Sequence, residues 1–324
     1  MNQIIIGVDV GGTTAKLGFI NNQGDILRKW EIPTITENEG IQIVDDIWNS
    51  IERQLSHDQY TNDQVLGIGV GAPGFIEDET GFVYEAVNIG WKNYDLGNQL
   101  KQRSNLPVFV ENDANIAVLG ENWKGAGNQA RNLVAITLGT GVGGGIIANG
   151  QIVNGEAGIG GEIGHITIDI DGYTCNCGRI GCLETIVSAT GIVRQAMEKA
   201  ENQSGLLATY ISEHGSITAK DVFQFAAAGD KSAREIVKNT ADVLGMAISN
   251  IGTIVNPAKV LIGGGVSKAG EAFLYDIRES FDKYALSRVS ENCELKLAQL
   301  GNDAGIIGAA FLVKQKIEHI TFTN

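Results

Sequence analysis

Three of the four cysteines, Cys175, Cys177 and Cys182, fall within eight residues, and His165 lies ten positions before the first of them. One imidazole and three thiolates are a donor set that zinc takes up as a closed tetrahedral site. Gly178 and Gly181 supply the tight turns that a small metal knuckle needs. With His165, Cys175, Cys177 and Cys182 filling all four positions, none is left for water, so the expected role of the zinc is structural. Glu162 stands three residues before His165 and Glu184 two after Cys182, so the metal would also hold two carboxylates in fixed relation. One ring nitrogen of His165 would ligate zinc and leave the other N–H to donate to a hydroxyl or a carboxylate.

A second kind of chemistry is written in glycine. The chain has 43 glycines against 4 prolines, and the glycines cluster. Asp9-Val10-Gly11-Gly12-Thr13-Thr14 and Leu138-Gly139-Thr140-Gly141-Val142-Gly143-Gly144-Gly145 are Gly-Thr turns between apolar runs. Glycines let backbone N–H groups approach an anion closely and threonine hydroxyls add donors, so both turns can cradle phosphates; either can also be a bare hairpin. Neither is a P-loop or a dinucleotide fingerprint, because no Gly-Lys-Ser/Thr follows and both lead into strands rather than helices. Gly263-Gly264-Gly265-Val266-Ser267 is a strand-to-helix turn suited to packing against a flat nucleotide. Asp9, at the end of its strand, can hold magnesium through water. Asn112-Asp113 closes another apolar strand, at the end where open α/β sheets place their ligands. Asp113 can act there as a helix N-cap, or as a general base that takes a proton from a substrate hydroxyl, since an ordinary carboxylate is ionised at neutral pH.

The elements that position these groups alternate between strands and helices. The apolar runs at 4–10, 15–20 and 26–32 predict a three-strand meander. Val44, Ile47, Trp48, Ile51 and Leu55 repeat at helical spacing and predict an amphipathic helix over about 39–56. Buried strands are expected at 65–70 and 108–110, and a helix from Asp113 to Lys124. Residues 133–138 and 145–148 form a second hairpin that opens a second domain, followed by a long helix at 231–255 and a strand at 260–263. A last helix starts at Asp303-Ala304-Gly305, and Lys16 follows the first glycine turn. Both halves therefore open with a strand, a Gly-Thr turn and a strand.

Composition bounds the function. A chain of 324 residues suggests two domains. A net charge of −14 argues against non-specific nucleic-acid binding and against an anionic membrane surface. No apolar run approaches the roughly 18 residues of a membrane span, and Ile4-Ile5-Ile6 follows the start with no basic leader. Cys293 is left over, which speaks against a disulfide framework and for a reducing, cytoplasmic compartment.

Taken together, Asp9-Val10-Gly11-Gly12-Thr13, Gly71-Ala72-Pro73-Gly74, Glu111-Asn112-Asp113-Ala114-Asn115, the 138–145 turn, Glu162-Ile163-Gly164-His165, the Cys175 to Glu184 knuckle and Asp303-Ala304-Gly305 resemble the ROK family (repressor, open reading frame, kinase) of sugar kinases, and within it the glucokinases of Gram-positive type. The resemblance runs through nearly the whole chain; the knuckle and Glu-Ile-Gly-His carry its specificity. It implies an α/β, actin-like (ribonuclease H-like) ATPase fold of two domains, with ATP and sugar meeting in the cleft between them. The first domain is expected at 1–115 completed by 303–324, and the second, with the zinc knuckle, at 116–302. The implied activity is ATP-dependent phosphorylation of glucose at its 6-hydroxyl, with Asp113 as base and magnesium accompanying ATP. Sugar contacts are implied for Asn112, Asp113, Glu162, His165 and Glu184, with Asn88 and Gly71 as weaker transfers. ATP contacts are expected from Asp9, Gly11, Gly12, Thr13, Thr14, Gly139, Thr140, Gly141, Gly264 and Gly265. The resemblance also implies a homodimer through the larger domain. A kinase for N-acetylmannosamine, N-acetylglucosamine, fructose or allose is the alternative, because sugar choice lies in loop geometry. Repressors of the family carry a helix-turn-helix ahead of the Asp-Gly-Gly segment, which here begins at Asp9 and leaves no room for one.

Overall fold

In the computed structural model, which describes residues 3–323, the first apolar run is strand β1 (Ile4–Val10), buried throughout except at Asp9. It pairs antiparallel with β2 (Thr14–Asn21), and β2 pairs antiparallel with β3 (Ile26–Pro33). β3 is the edge strand and alternates half-buried with exposed positions along its whole length, the period-two pattern of a sheet with one covered face. Helix α1 (Ile43–His57) buries the predicted stripe of Val44, Ile47, Trp48, Ile51 and Leu55, and Ile43 with it. It begins at Ile43 rather than near 39 because Asn38 and Glu39 take left-handed φ values of 50° and 61°. β4 (Val65–Ala72) runs parallel to β1. A small antiparallel sheet of β5 (Phe75–Glu77), β6 (Phe82–Ala86) and β7 (Trp91–Tyr94) follows. The chain returns through α2 (Leu96–Ser104) to β8 (Val108–Asn112), parallel to β4, and continues into α3 (Asp113–Lys124). The main sheet has the order β3-β2-β1-β4-β8.

The C-terminal helix (Ala304–Thr323) covers this sheet on one side, packing Ile306, Ile307, Ala310 and Val313 on Ile5 and Ile20. A Cβ at Gly7 would lie 2.0 Å from the Ile306 carbonyl oxygen, and one at Gly69 1.9 Å from that of Ala309, so only glycine in the strands admits a helix backbone this close.

The second sheet repeats the pattern. β9 (Leu133–Leu138) pairs antiparallel with β10 (Val142–Ala148), which neighbours β11 (Gln151–Ile152); β12 (Lys259–Gly263) runs parallel to β9, and β13 (Glu294–Leu297) parallel to β12. The predicted second strand begins at Val142 rather than at 145, because Gly143, Gly144 and Gly145 pair with Thr137, Ile136 and Ala135. The helices are α4 (Glu184–Val187), α5 (Ala189–Asn202), α6 (Leu206–His214), α7 (Ala219–Ala227), α8 (Lys231–Val255), α9 (Glu271–Tyr284) and α10 (Ser287–Ser290). Asp230 caps α8 by accepting the Ala233 N–H, and the helix buries Ile236, Leu244 and Ile248 in one core with Ile277 and Phe281 of α9. This duplicated sheet, with helices on it, is the expected actin-like α/β fold.

One compact unit comprises Met1–Gln129, Ile152–Gly160 and Leu300–Asn324; the other comprises Ala130–Gln151 and Gly161–Gln299. The first unit runs past residue 115 because α3 lies along the C-terminal helix, where Trp123 joins the cluster of Ile306 and Ile307. It also takes back the short stretch Ile152–Gly160, which no periodicity in the sequence signals. No helix among the described residues is long and apolar enough to cross a membrane.

Candidate active site

Within the first unit, β1, β4 and β8 are neighbours, and their register sets Asp9 beside Gly71 and Ala72 beside Asn112 at the C-terminal edge of the sheet. Asn112, not Asp113, is the cap of α3: its side-chain oxygen accepts from the N–H groups of Ala114 at 2.9 Å and Asn115 at 3.3 Å, while its amide donates to the Gly74 carbonyl at 3.0 Å. The capping role that Asp113 could have filled is therefore taken by its neighbour. One Asp113 oxygen accepts the Ala114 N–H at 2.8 Å. Burial pushes the Asp113 carboxyl up, against the pull of backbone N–H groups from Ala114 and itself. Burial likewise pushes Asp9 from 3.8 to about 6; Lys16, its partner across β1 and β2, opposes the rise and the Asp113 charge adds to it. A buried carboxylate that ionises at this cost suits a cation.

The other predicted residues of this unit gather nearby. The first Gly-Thr turn is closed by Gly11 N–H donating to the Thr14 carbonyl at 3.1 Å, and Gly12 and Thr13 are exposed at its tip. Asn88, exposed in the turn after β6, lies against Gly12, where an added Cβ would sit 3.5 Å from its carbonyl oxygen. Gly71 has a packing reason of its own: a Cβ there would be 1.8 Å from Ile116 Cδ1. Asp9 rests on the first turn of the C-terminal helix, since a Cβ on Gly305 would reach its carboxylate at 2.4 Å. An anionic side chain is favoured at that end of a helix.

In the second unit the organiser is Glu184. Its Oε2 accepts the Val142 N–H at 3.3 Å, just past the Gly139-Thr140-Gly141 turn, and its Oε1 accepts from the Cys175 thiol at 2.9 Å. One carboxylate thus ties the Gly-Thr hairpin to the knuckle, and an added Cβ on Gly141 would come within 2.7 Å of it. The hairpin is fixed from its far side too: Ala189 N–H donates to the Gly139 carbonyl at 2.9 Å and the Thr190 hydroxyl to that of Thr140 at 2.8 Å. A cavity of about 150 Å³ opens beside this turn, walled by Gly141, Cys175, Glu184, Thr190 and Arg194. Gly264, with φ of +85°, packs where a Cβ would strike the Leu138 backbone, so the third glycine turn abuts the end of β9; Gly265 follows in open space.

The knuckle brings its four residues together. The donor atoms of His165, Cys175, Cys177 and Cys182 all lie within 4.8 Å of one another. Zinc bonds of about 2.3 Å to sulfur and 2.0–2.1 Å to nitrogen, set tetrahedrally, need S···S near 3.8 Å and N···S near 3.6 Å. The Cys177 and Cys182 sulfurs stand 3.6 Å apart, and His165 Nδ1 stands 3.6 Å from the Cys175 sulfur. Burial pushes the Cys175 thiol up to about 12 and raises Cys182, while a backbone N–H near Arg179 lowers Cys177. Buried thiolates here call for a cation, so the donor set fits a structural divalent metal. The other ring nitrogen, Nε2, is 3.8 Å from a Glu162 oxygen, a distance of charge pairing rather than hydrogen bonding.

A sequence profile of the ROK family matches residues 5–316. The chain belongs to the ROK family. A glucokinase of Halalkalibacterium halodurans is 52% identical over 313 residues, 96% of this ROK chain and 95% of its own. The crystal structure of a ROK family glucokinase from Streptomyces griseus, in complex with glucose and AMPPNP, is 35% identical with a TM-score of 0.76 over 96% of this chain and 99% of its own. A ROK hexokinase from Thermus thermophilus has a TM-score of 0.84 at 28% identity, over 98% and 100% of the two chains.

Three features of this ROK chain escape sequence reasoning. Glu111 enters the sequence reading only as a member of the Glu111-Asn112-Asp113 motif, with no role assigned, and is buried in β8; Asn154, which donates to it at 2.8 Å, leaves no signal. Arg194 of α5 donates to the Thr185 carbonyl, next to Glu184, and its guanidinium lies 3.6 Å above the Tyr173 ring, whose hydroxyl bonds Glu198. That stack holds the start of the knuckle against α5.

Proposed function

We propose that this chain transfers the γ-phosphoryl group of ATP to the 6-hydroxyl of glucose, with Asp113 as general base. The observation that carries the reading is Asp113 itself: relieved of capping by Asn112, set on the sheet edge beside Asp9 and Gly71, and raised by burial toward the pH at which a base is most effective. The sugar oxygen attacks the γ-phosphorus, its proton passes to the Asp113 carboxylate, and the bond to the β–γ bridging oxygen breaks to release ADP. Such a transfer needs alignment and charge neutralisation more than covalent chemistry. Backbone N–H groups of Gly12 and Gly141, with the hydroxyls of Thr13, Thr14 and Thr140, serve the phosphates, while Gly11 and Gly139, whose N–H groups close the two turns, let the backbone approach them. Gly264 and Gly265 give the nucleotide a flat backbone to lie on. Glucose hydroxyls meet Asn88, Asn112, Glu162, His165 and Glu184, with Gly71 shaping the floor. Asp9 would hold magnesium, which would supply charge neutralisation on the phosphates. His165, Cys175, Cys177 and Cys182 would hold zinc in a structural role, and Glu184, no longer needed by the Cys175 thiol, would offer its carboxylate to a sugar hydroxyl. ATP as co-substrate and four free cysteines suit the cytoplasm, and the working form is a homodimer.

Asp113→Asn keeps the shape and removes the proton acceptor; kcat falls about 10²-fold or more while glucose still binds. A variant with near-unchanged kcat rules the base out. Comparing kcat/KM for glucose with N-acetylmannosamine, N-acetylglucosamine, fructose and allose tests the sugar, and a preference for any of the others overturns glucose.

A further inference from the structure

Directly behind Asp113 lies a closed ring of polar side chains. Glu111 is 4% exposed and Asn115 3% exposed. Glu111 Oε1 accepts the Asn112 N–H at 2.8 Å and the Asn115 amide at 3.0 Å; Oε2 accepts the Asn154 amide at 2.8 Å. The Asn115 amide also donates to Asn154 Oδ1 at 3.0 Å. All three donors to Glu111 are neutral amides. No cation is among these partners, so the ring is held by hydrogen bonds to neutral donors. What Glu111 supplies is direction. A carboxylate only accepts, so it dictates which way the Asn154 and Asn115 amides face: Asn154 donates to Glu111 alone, and Asn115 to both Glu111 and Asn154. The same oxygen holds the main chain of Asn112, whose side chain caps α3 and reaches Gly74.

We propose that Glu111 and Asn154 are positioning residues for the phosphoryl transfer: they fix the Asn112 main chain from behind and so aim the carboxylate of Asp113, the next residue. This rests on Asp113 as the base. Asn154 lies on the stretch that returns to the first unit, so the clamp also gives that return a reason.

The ring can be rewired without losing a bond. Glu111→Gln alone turns an amide onto a donor, and Asn154→Asp alone sets two carboxylates face to face. In the double variant the new glutamine amide donates to the new aspartate and its oxygen still accepts from Asn112 and Asn115, while the aspartate also accepts from Asn115. Each single variant should lose about 10- to 100-fold in kcat, as sub-ångström misplacement of a reacting group does, with KM for ATP within about twofold. The double variant should recover to within about fivefold of wild type. Asn154→Ala, a milder break, gives the same reading if Asn154→Asp fails to fold. Folded single variants with kcat within about twofold of wild type, or a double variant that recovers melting temperature but not kcat, overturn the clamp. Asp113→Asn is run alongside. If it abolishes kcat while the clamp variants do not, only the clamp fails; if it leaves kcat intact, the base reading fails.

Discussion

Replacing Asp9 by Asn should stabilise the protein while disabling it, and the gain should depend on pH in a defined way. Burial moves the Asp9 carboxyl from 3.8 to about 6. The folded state therefore binds this proton more tightly than the unfolded state, and the ionised group is a burden wherever pH exceeds the folded value. At pH 7 the full burden is about 3 kcal/mol, reduced to about 2 kcal/mol because Asp9 keeps some contact with water. The burden is complete above about pH 6 and fades as pH falls toward 4, dropping to about a third by pH 4.5. Asparagine has the same size and no charge. In thermal unfolding followed by circular dichroism, without nucleotide or magnesium, Asp9→Asn should melt several degrees above wild type at pH 7.5, and the gap should close progressively down to pH 4.5. Kinase activity should fall at least about tenfold, since the cation loses its carboxylate. A melting difference that does not change with pH, or a variant less stable at pH 7.5, refutes the account of Asp9 as a carboxylate ionised against burial.

Purified protein should carry about one zinc per chain by elemental analysis, and Cys177→Ser should lower metal content and melting temperature together; undamaged wild type with less than about half an equivalent removes the knuckle's metal. Gly141→Ala brings a methyl to 2.7 Å from Glu184 Oε2, so KM for glucose should rise about tenfold with a stability change under about 1 kcal/mol; an unchanged KM for glucose separates Glu184 from the sugar. The acid limb of kcat/KM should lie above the usual carboxylate range, because burial has raised both Asp113 and Asp9; in Asp9→Asn the limb that remains reports Asp113, which works only when ionised, and should still lie above that range. A limb in the ordinary range counts against Asp113.

Much of the frame was legible because its signals are local. The run 4–10 reads as a strand because burial on both faces demands apolar residues nearly throughout, Asp9 excepted, and the long helix read at 231–255 is found there, with Asp230 as its cap. The grouping of His165, Cys175, Cys177 and Cys182 is legible because the four donors are close in sequence, and their donor atoms lie within 4.8 Å of one another. Other features depend on residues far apart. The first unit extends to Gln129 through packing between α3 and a helix that begins at Ala304. The three-strand sheet β5-β6-β7 is too short to show a period. Asp113 reads equally as cap or base until Asn112 is seen to do the capping. Glu111 and Asn154 sit 43 positions apart and acquire meaning only through their bond.

The C-terminal helix gives this enzyme an unusual birth. β1 leaves the ribosome long before Ala304 is added, yet Ile5, Ile20 and the bare glycines of β1 and β4 wait for that helix to cover them. Throughout translation the nascent chain exposes a greasy sheet face, open to chaperones and to its own neighbours on the polysome. Every residue assigned to sugar, phosphate or metal has been made by then. A message cut short before Ala304 therefore yields a polypeptide with a complete set of reactive groups and no sealed sheet to hold them. The helix over Ala304–Thr323 thus acts as a late check on synthesis: a chain that stops before it cannot seal this sheet.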